Sequence, residues 1–139
     1  MYLLDTNVIS EIRKIRFGSA NKNVAKWADD VDARELYLSV ITVEELEIGV
    51  LLLERRDPKQ GTVLRAWLDQ QVLPAFEGRI LEIDMTIVLR SAHLHVPNPN
   101  PKPLRDGLIA ATALVHSMTV VTRNVDDFKM AGVKVFDPW

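Results

Sequence analysis

Three acids, Asp5, Glu45 and Asp106, and one amide, Asn124, stand where a chain of alternating strands and helices would place groups for chemistry. Asp5-Thr6-Asn7 follows the apolar run Tyr2-Leu3-Leu4, and Glu45 follows Thr42 just beyond the run from Leu36 to Ile41. Thr122-Arg123-Asn124 follows Thr119-Val120-Val121, and Asp106 lies at the start of the apolar stretch leading into that run. Ligands of open parallel sheets bind outside the carboxyl ends of the strands, so these positions are expected to gather at one rim. Carboxylates so gathered repel one another, and without a counter-charge some would take up protons. A Mg2+ ion relieves the repulsion, because it prefers oxygen ligands and keeps several waters. The same ion activates water and stabilises the charged phosphoryl transition state. Such a site could cut a phosphodiester without a Cys, His or Ser nucleophile, and Arg123 is the best-placed single phosphate contact.

Each acid also has a plainer explanation. Asp5 fits the N-cap of the first helix. Thr42-x-x-Glu45 fits a capping box with Glu45 at its fourth position. Asp106 fits a first-turn acid that complements the helix dipole. Capping and metal binding are compatible, since a helix N-terminus also holds a carboxylate in the ionised form that a hard cation requires.

The elements that would position these groups follow from hydrophobic pattern. Strands are expected at Tyr2–Leu4, Leu36–Ile41, Ile80–Ile83, Thr119–Val121 and Val133–Phe136. Helices are expected from Val8, around Val24–Trp27, from Thr42 to the Asp57-Pro58 break, over Thr62–Val72, from Asp84 through Ala92, and over Arg105–Ser117. In the third of these, Val43, Leu46, Val50 and Leu53 form one stripe. The Arg105–Ser117 helix is apolar almost all round and should be buried. Four prolines, 97, 99, 101 and 103, make residues 97–103 non-helical. This order implies an α/β fold: a parallel sheet sandwiched between helices, built as a single domain over residues 1–139.

Composition narrows the chemistry. The 139 residues are 47% hydrophobic, enough for one core, and 26% charged. No Cys is present, which excludes disulfides and thiolate metal sites. His93, His95 and His116 make no helical His-x-x-x-His pair, which argues against a zinc enzyme. His93 and His95 are expected to be solvated or capping residues, and His116 to complement a helix C-terminus. Trp27, Trp67 and Trp139 read as core or interface anchors. The basic runs Arg13-Lys14-Ile15-Arg16 and Arg55-Arg56 read as solvated charge. The net charge of -2 lends nucleic-acid binding no bulk support, so such binding would need local patches or bridging cations. No apolar run approaches the roughly 18 residues of a membrane span. With no signal peptide evident, a cytoplasmic setting is expected.

The motifs taken together resemble PIN-domain toxins of the VapC and FitB type. Leu3-Leu4-Asp5-Thr6-Asn7-Val8-Ile9-Ser10-Glu11 resembles their opening, and Ser39-Val40-Ile41-Thr42-Val43-Glu44-Glu45-Leu46 with Gly49 their second motif. Arg105-Asp106-Gly107-Leu108-Ile109-Ala110-Ala111-Thr112-Ala113 resembles the third, and Thr119 through Phe128 the fourth. The ending Val135-Phe136-Asp137-Pro138-Trp139 is similar to that of FitB-type chains. The resemblance implies a homodimeric ribonuclease dependent on Mg2+ or Mn2+. It also implies a small antitoxin that neutralises the enzyme, covers the acidic rim and carries the complex to operator DNA. Asp5, Glu45, Asp106 and Asn124 fall on the family's catalytic positions, with Asp5 and Asp106 as direct metal ligands. Glu45 would hold a metal-bound water or a second ion, and Thr6 and Asn7 would orient the carboxylates. Asn124 departs from the Asp common at the fourth position, which leaves Asp126 or Asp127 as substitutes.

Other designs fit less well. A phosphoacceptor receiver needs paired acids after the first strand and a Lys after the last, whereas Asp5 is single and the last strand runs into Asp137-Pro138-Trp139. An Asp-x-Asp phosphatase finds Asn7 where its second acid should be. A non-catalytic RNA- or protein-binding module on a PIN-like fold is the remaining alternative, consistent with Asn124 and the acidic net charge.

Overall fold

A computed structural model describes residues 1–98, 103–129 and 131–139. The chain begins with β1 (Tyr2–Leu4), α1 (Thr6–Arg13), a 3-10 turn (Lys14–Phe17), α2 (Lys22–Asp30) and a second 3-10 turn (Ala33–Glu35). Next come β2 (Leu36–Ser39), α3 (Val40–Arg56), α4 (Pro58–Trp67), a π-helical turn (Leu68–Val72) and α5 (Leu73–Ala75). β3 (Ile80–Leu81), α6 (Met85–His95), α7 (Leu104–Val115), β4 (Thr119–Val121), α8 (Asp126–Lys129) and β5 (Val135–Phe136) follow. The five strands are all parallel, in the order β3-β2-β1-β4-β5. Central strand β1 aligns Tyr2 with Leu36 on one side and with Thr119 on the other.

Side chains alternate across a strand, and the two faces of the sheet take successive residues. Leu4, Leu38 and Val121 pack on one face with Val8, Leu46, Val50 and Trp67, from α1, α3 and α4. Leu3 and Val120 pack on the other with Ile109, Ala110, Ala113 and Phe128, from α7 and α8. This is the expected sandwich, and the expected burial of the 105–117 helix holds for Ile109 through Ala113. Among the described residues no helix is long and apolar enough to cross a membrane.

Several boundaries differ from expectation. β2 ends at Ser39, and Val40 and Ile41 already belong to α3. The Ser39 side chain accepts from the Ile41 N–H and caps the helix. Thr42 is therefore inside the first turn rather than at the cap, fully buried, with its hydroxyl donating to Leu4 O at 3.5 Å. β-branched residues in succession gave the strand reading, and a side-chain cap ends it early. Pro58 starts α4 instead of only ending α3, since Asp57 caps it by accepting from Gln60 N. Proline suits a first helical position, where its missing N–H costs nothing. β3 and β5 are each shorter than expected by two residues' worth of run, at Ile80–Leu81 and Val135–Phe136. The proline-rich stretch falls partly outside the described residues, at 99–102; Pro97 and Pro103 are non-helical as expected.

Candidate active site

The strand order reverses between β1 and β4, so the loops leaving their carboxyl ends diverge and leave a crevice. Asp5 leaves β1 there and Thr122 leaves β4. Asp5 N donates to Val121 O at 2.9 Å, which ties the two strand ends together. The Asp5 side chain caps α1 as expected: Oδ1 accepts from Thr6 N at 2.8 Å. Oδ2 accepts from Thr122 Oγ1 at 2.8 Å and from Asn7 Nδ2 at 3.3 Å. Asn124 N donates to Thr122 Oγ1 at 3.0 Å and Arg123 N to Asn7 Oδ1 at 3.3 Å. Asp5 is thus only 7% exposed yet well supplied with donors. Burial raises its pKa; the hydrogen bonds from Thr122, Thr6 and Asn7 oppose the rise and the charge of Asp127 adds to it.

Glu45 is the sixth residue of α3, one turn deeper than a capping box would place it. Its pKa is raised by burial first, then by the charges of Asp5 and Asp106. Arg105 opposes that rise, and Thr6 does so more weakly. The buried Thr6 Oγ1 nonetheless makes no hydrogen bond of ordinary geometry with a described residue. Asp106 stands in the first turn of α7 as expected. It lines a small cavity of about 40 Å³ together with Asp127, His95, Asn98 and Ser91. The three expected acids therefore share one electrostatic field, and Asp127 joins them.

The fourth position is divided. Asn124 reaches the network through its backbone N–H, and the residue itself is exposed. Asp126 is 88% exposed and pairs with Lys129 at 3.0 Å. Asp127 is the acid whose charge acts on Asp5 and that shares a cavity with Asp106. The Arg123 guanidinium lies over the Trp139 ring, 5.6 Å from its centroid, and its charge favours ionised Glu11. The cation whose charge favours ionised Glu45 is Arg105. Sequence reasoning assigned no role to Thr122 or Arg105; a hydroxyl directly after β4 and a cation directly before Asp106 were the available signals.

Among the described residues no three His, Asp or Glu side chains draw together as a ready cage for an ion. Mg2+ does not need one, since it binds through one or two carboxylates and keeps its waters. The donors are all oxygens, and Asp5 and Glu45 are held above their ordinary pKa values by burial and by neighbouring acids. A hard divalent cation would relieve that condition, so the donor set fits Mg2+ or Mn2+.

The profile of the PIN domain matches residues 2–133. The chain belongs to the PIN-domain family. This PIN domain is 43% identical over 142 residues to Toxin FitB of Neisseria gonorrhoeae, covering 100% of this chain and 99% of that protein. It is 37% identical over 142 residues to VapC ribonuclease Y4jK of Sinorhizobium fredii, covering 100% of this chain and 98% of the relative. A solved structure, FitAB bound to an IR36 DNA fragment, matches this PIN domain with a TM-score of 0.89 at 42% identity, covering 100% of this chain and 96% of that one. The resemblance expected from the motifs is met along the whole length.

Proposed function

We propose that this PIN domain, acting as one unit over residues 1–139, is a Mg2+-dependent endoribonuclease and the toxin of a toxin–antitoxin pair. The observation that carries the reading is the shared field of Asp5, Glu45 and Asp106 at the carboxyl rim of the sheet, with Asp127 beside them. The names of its relatives, a toxin and a VapC ribonuclease, support it.

Asp5 and Asp106 would hold the cation. When bound, the ion neutralises charge on the phosphoryl group and makes water a better nucleophile. Thr122 and Asn7 occupy Asp5 Oδ2 and fix the carboxylate against rotation, which leaves Oδ1, bonded only to Thr6 N, as the oxygen with a lone pair to offer. Glu45, held at a raised pKa, accepts the proton of the attacking water at a carboxylate oxygen. Asn124 contributes through its backbone to the Thr122 hydroxyl, and Asp127 supplies the fourth negative charge.

The partner is an antitoxin, with operator DNA bound through it; the relative solved as FitAB with a DNA fragment supports this. An apolar groove of about 440 Å³, lined by Ile9, Ile12, Ile15, Trp67, Val72 and Phe76, suits the apolar face of a partner helix. The working form is a homodimer in the cytoplasm.

The test is cleavage of single-stranded RNA by the purified protein with Mg2+ or Mn2+, and its loss in excess chelator. Asp5→Asn and Asp106→Asn should each lower the rate by roughly 10²-fold or more, with circular dichroism unchanged. Undiminished cleavage in excess chelator sinks the mechanism.

A further inference from the structure

Arg105 and Glu44 each precede an acid of the site, Asp106 and Glu45, on two different helices. They meet as an ion pair, Arg105 Nη2 to Glu44 Oε1 at 2.9 Å, between side chains 48% and 55% exposed. Exposed pairs of this kind contribute little net stability and are screened by salt. A guanidinium has five N–H donors, and one carboxylate oxygen leaves most of them for other acceptors. Its planar fork also matches a phosphate in two-point contact. Arg105 is the second residue of α7, whose N-cap Pro103 has no side-chain acceptor to offer the helix.

We propose that Arg105 is the substrate-contacting cation of this site: it rests on Glu44 in the free protein and transfers to an RNA phosphate when the strand crosses the acid rim. This rests on the ribonuclease reading above. A polyanion approaching Asp5, Glu45, Asp106 and Asp127 meets repulsion, and a cation within their field lowers it. Arg105 is so placed, because it adjoins Asp106 on α7 and its guanidinium meets Glu44, the neighbour of Glu45, on α3. Arg123 lies over the Trp139 ring, 5.6 Å from its centroid. Glu44 is then a competitor for Arg105, and removing it should strengthen RNA binding.

The experiment measures binding of a short fluorescein-labelled single-stranded RNA by anisotropy, in an Asp5→Asn parent whose cleavage is too slow to act within the measurement. Arg105→Gln should weaken binding roughly tenfold, as expected for the loss of a charge-assisted contact. It should also flatten the dependence of log Kd on log salt by about 0.7, the single-strand value for one phosphate. Glu44→Gln should tighten binding, and the gain should vanish when Arg105→Gln is added. Melting temperatures verify that the variants fold. Unchanged binding by Arg105→Gln overturns the inference. So does a Glu44→Gln gain that persists in full without Arg105, since Glu44 would then merely repel RNA. Wild-type cleavage measured alongside separates the two readings: cleavage with an inert Arg105 removes this inference alone, whereas neither cleavage nor RNA binding removes the ribonuclease reading as well.

Discussion

The two oxygens of Asp5 face different partners. Oδ1 holds the first N–H of α1, and Oδ2 holds the Thr122 hydroxyl and the Asn7 amide. The carboxylate is thereby fixed while its burial, like that of Glu45, favours the protonated form. This has a consequence for stability. An unfolded carboxylate titrates at about 4, and both folded pKa values lie higher. As pH rises from the ordinary value through the raised ones, the unfolded chain releases protons first and the fold loses stability; below that window the two groups cost nothing. Carboxylates with lowered values, such as Asp32 and Glu11, act in the opposite sense, so the effect shows only as a difference between variants. The metal-free melting temperature of wild type, relative to an Asp5→Asn, Glu45→Gln double variant, should fall as pH rises through this window, and Mg2+ should reverse the fall. Parallel pH profiles would show that neither group carries a burial penalty. At this scale Asp5 was legible because it follows a strand and Asp106 because it lies in the first turn of a helix, whereas Glu45 lies one turn deeper in α3 than its capping-box spacing suggests. Thr122 was less so, because a hydroxyl after a strand is common and only the β1–β4 adjacency gives it Asp5 as a partner.

Helices α3 and α4 approach so closely that the position of Gly61 has no room for a side chain. A Cβ there would lie 2.5 Å from Glu54 Cα and 2.8 Å from Glu54 N, both backbone atoms. Beside it Arg65 bridges the helices, to Glu47 at 2.6 Å and Glu54 at 3.0 Å. Gly→Ala inside a helix normally stabilises by roughly 1 kcal/mol. Here the forced separation should reverse the sign, and Gly61→Ala should destabilise by about 1–3 kcal/mol in urea unfolding. A stabilised variant would mean that the contact is looser than described. RNA cleavage should fall less than stability, since Glu45, the site acid of α3, lies toward the other end of that helix. The helix order was legible from the apolar stripes, but its exact joints were not. Val40-Ile41-Thr42-Val43 carries strand propensity, and only the Ser39 cap makes it helical. The π-helical turn Leu68–Val72 has no local signature either; it widens the helix just ahead of Pro74, which has no N–H to give. The close approach at Gly61 depends on the partner helix, which no single segment of sequence records.

Among the described residues, two apolar surfaces bear on assembly. One is the groove beside α1 and α4. The other runs along α6, where only Ile87 and Ser91 are buried while Met85, Val88 and Leu89 stand 72%, 45% and 56% exposed. Exposed apolar residues at this helical spacing mark a contact surface, and α6 is the face expected to meet a second copy of the chain. Sedimentation should show a dimer for wild type and a monomer for Leu89→Glu, with the fold retained. A dimer that survives the substitution places the interface on another face. The sheet ends on both sides in strands of two residues, β3 and β5. Edges so short give a passing backbone too few N–H and C=O groups to dock against. Among the described residues, the sheet edges therefore give strand addition little template. An inhibitor shaped as an extended peptide strand should find little to pair with along either edge of the sheet.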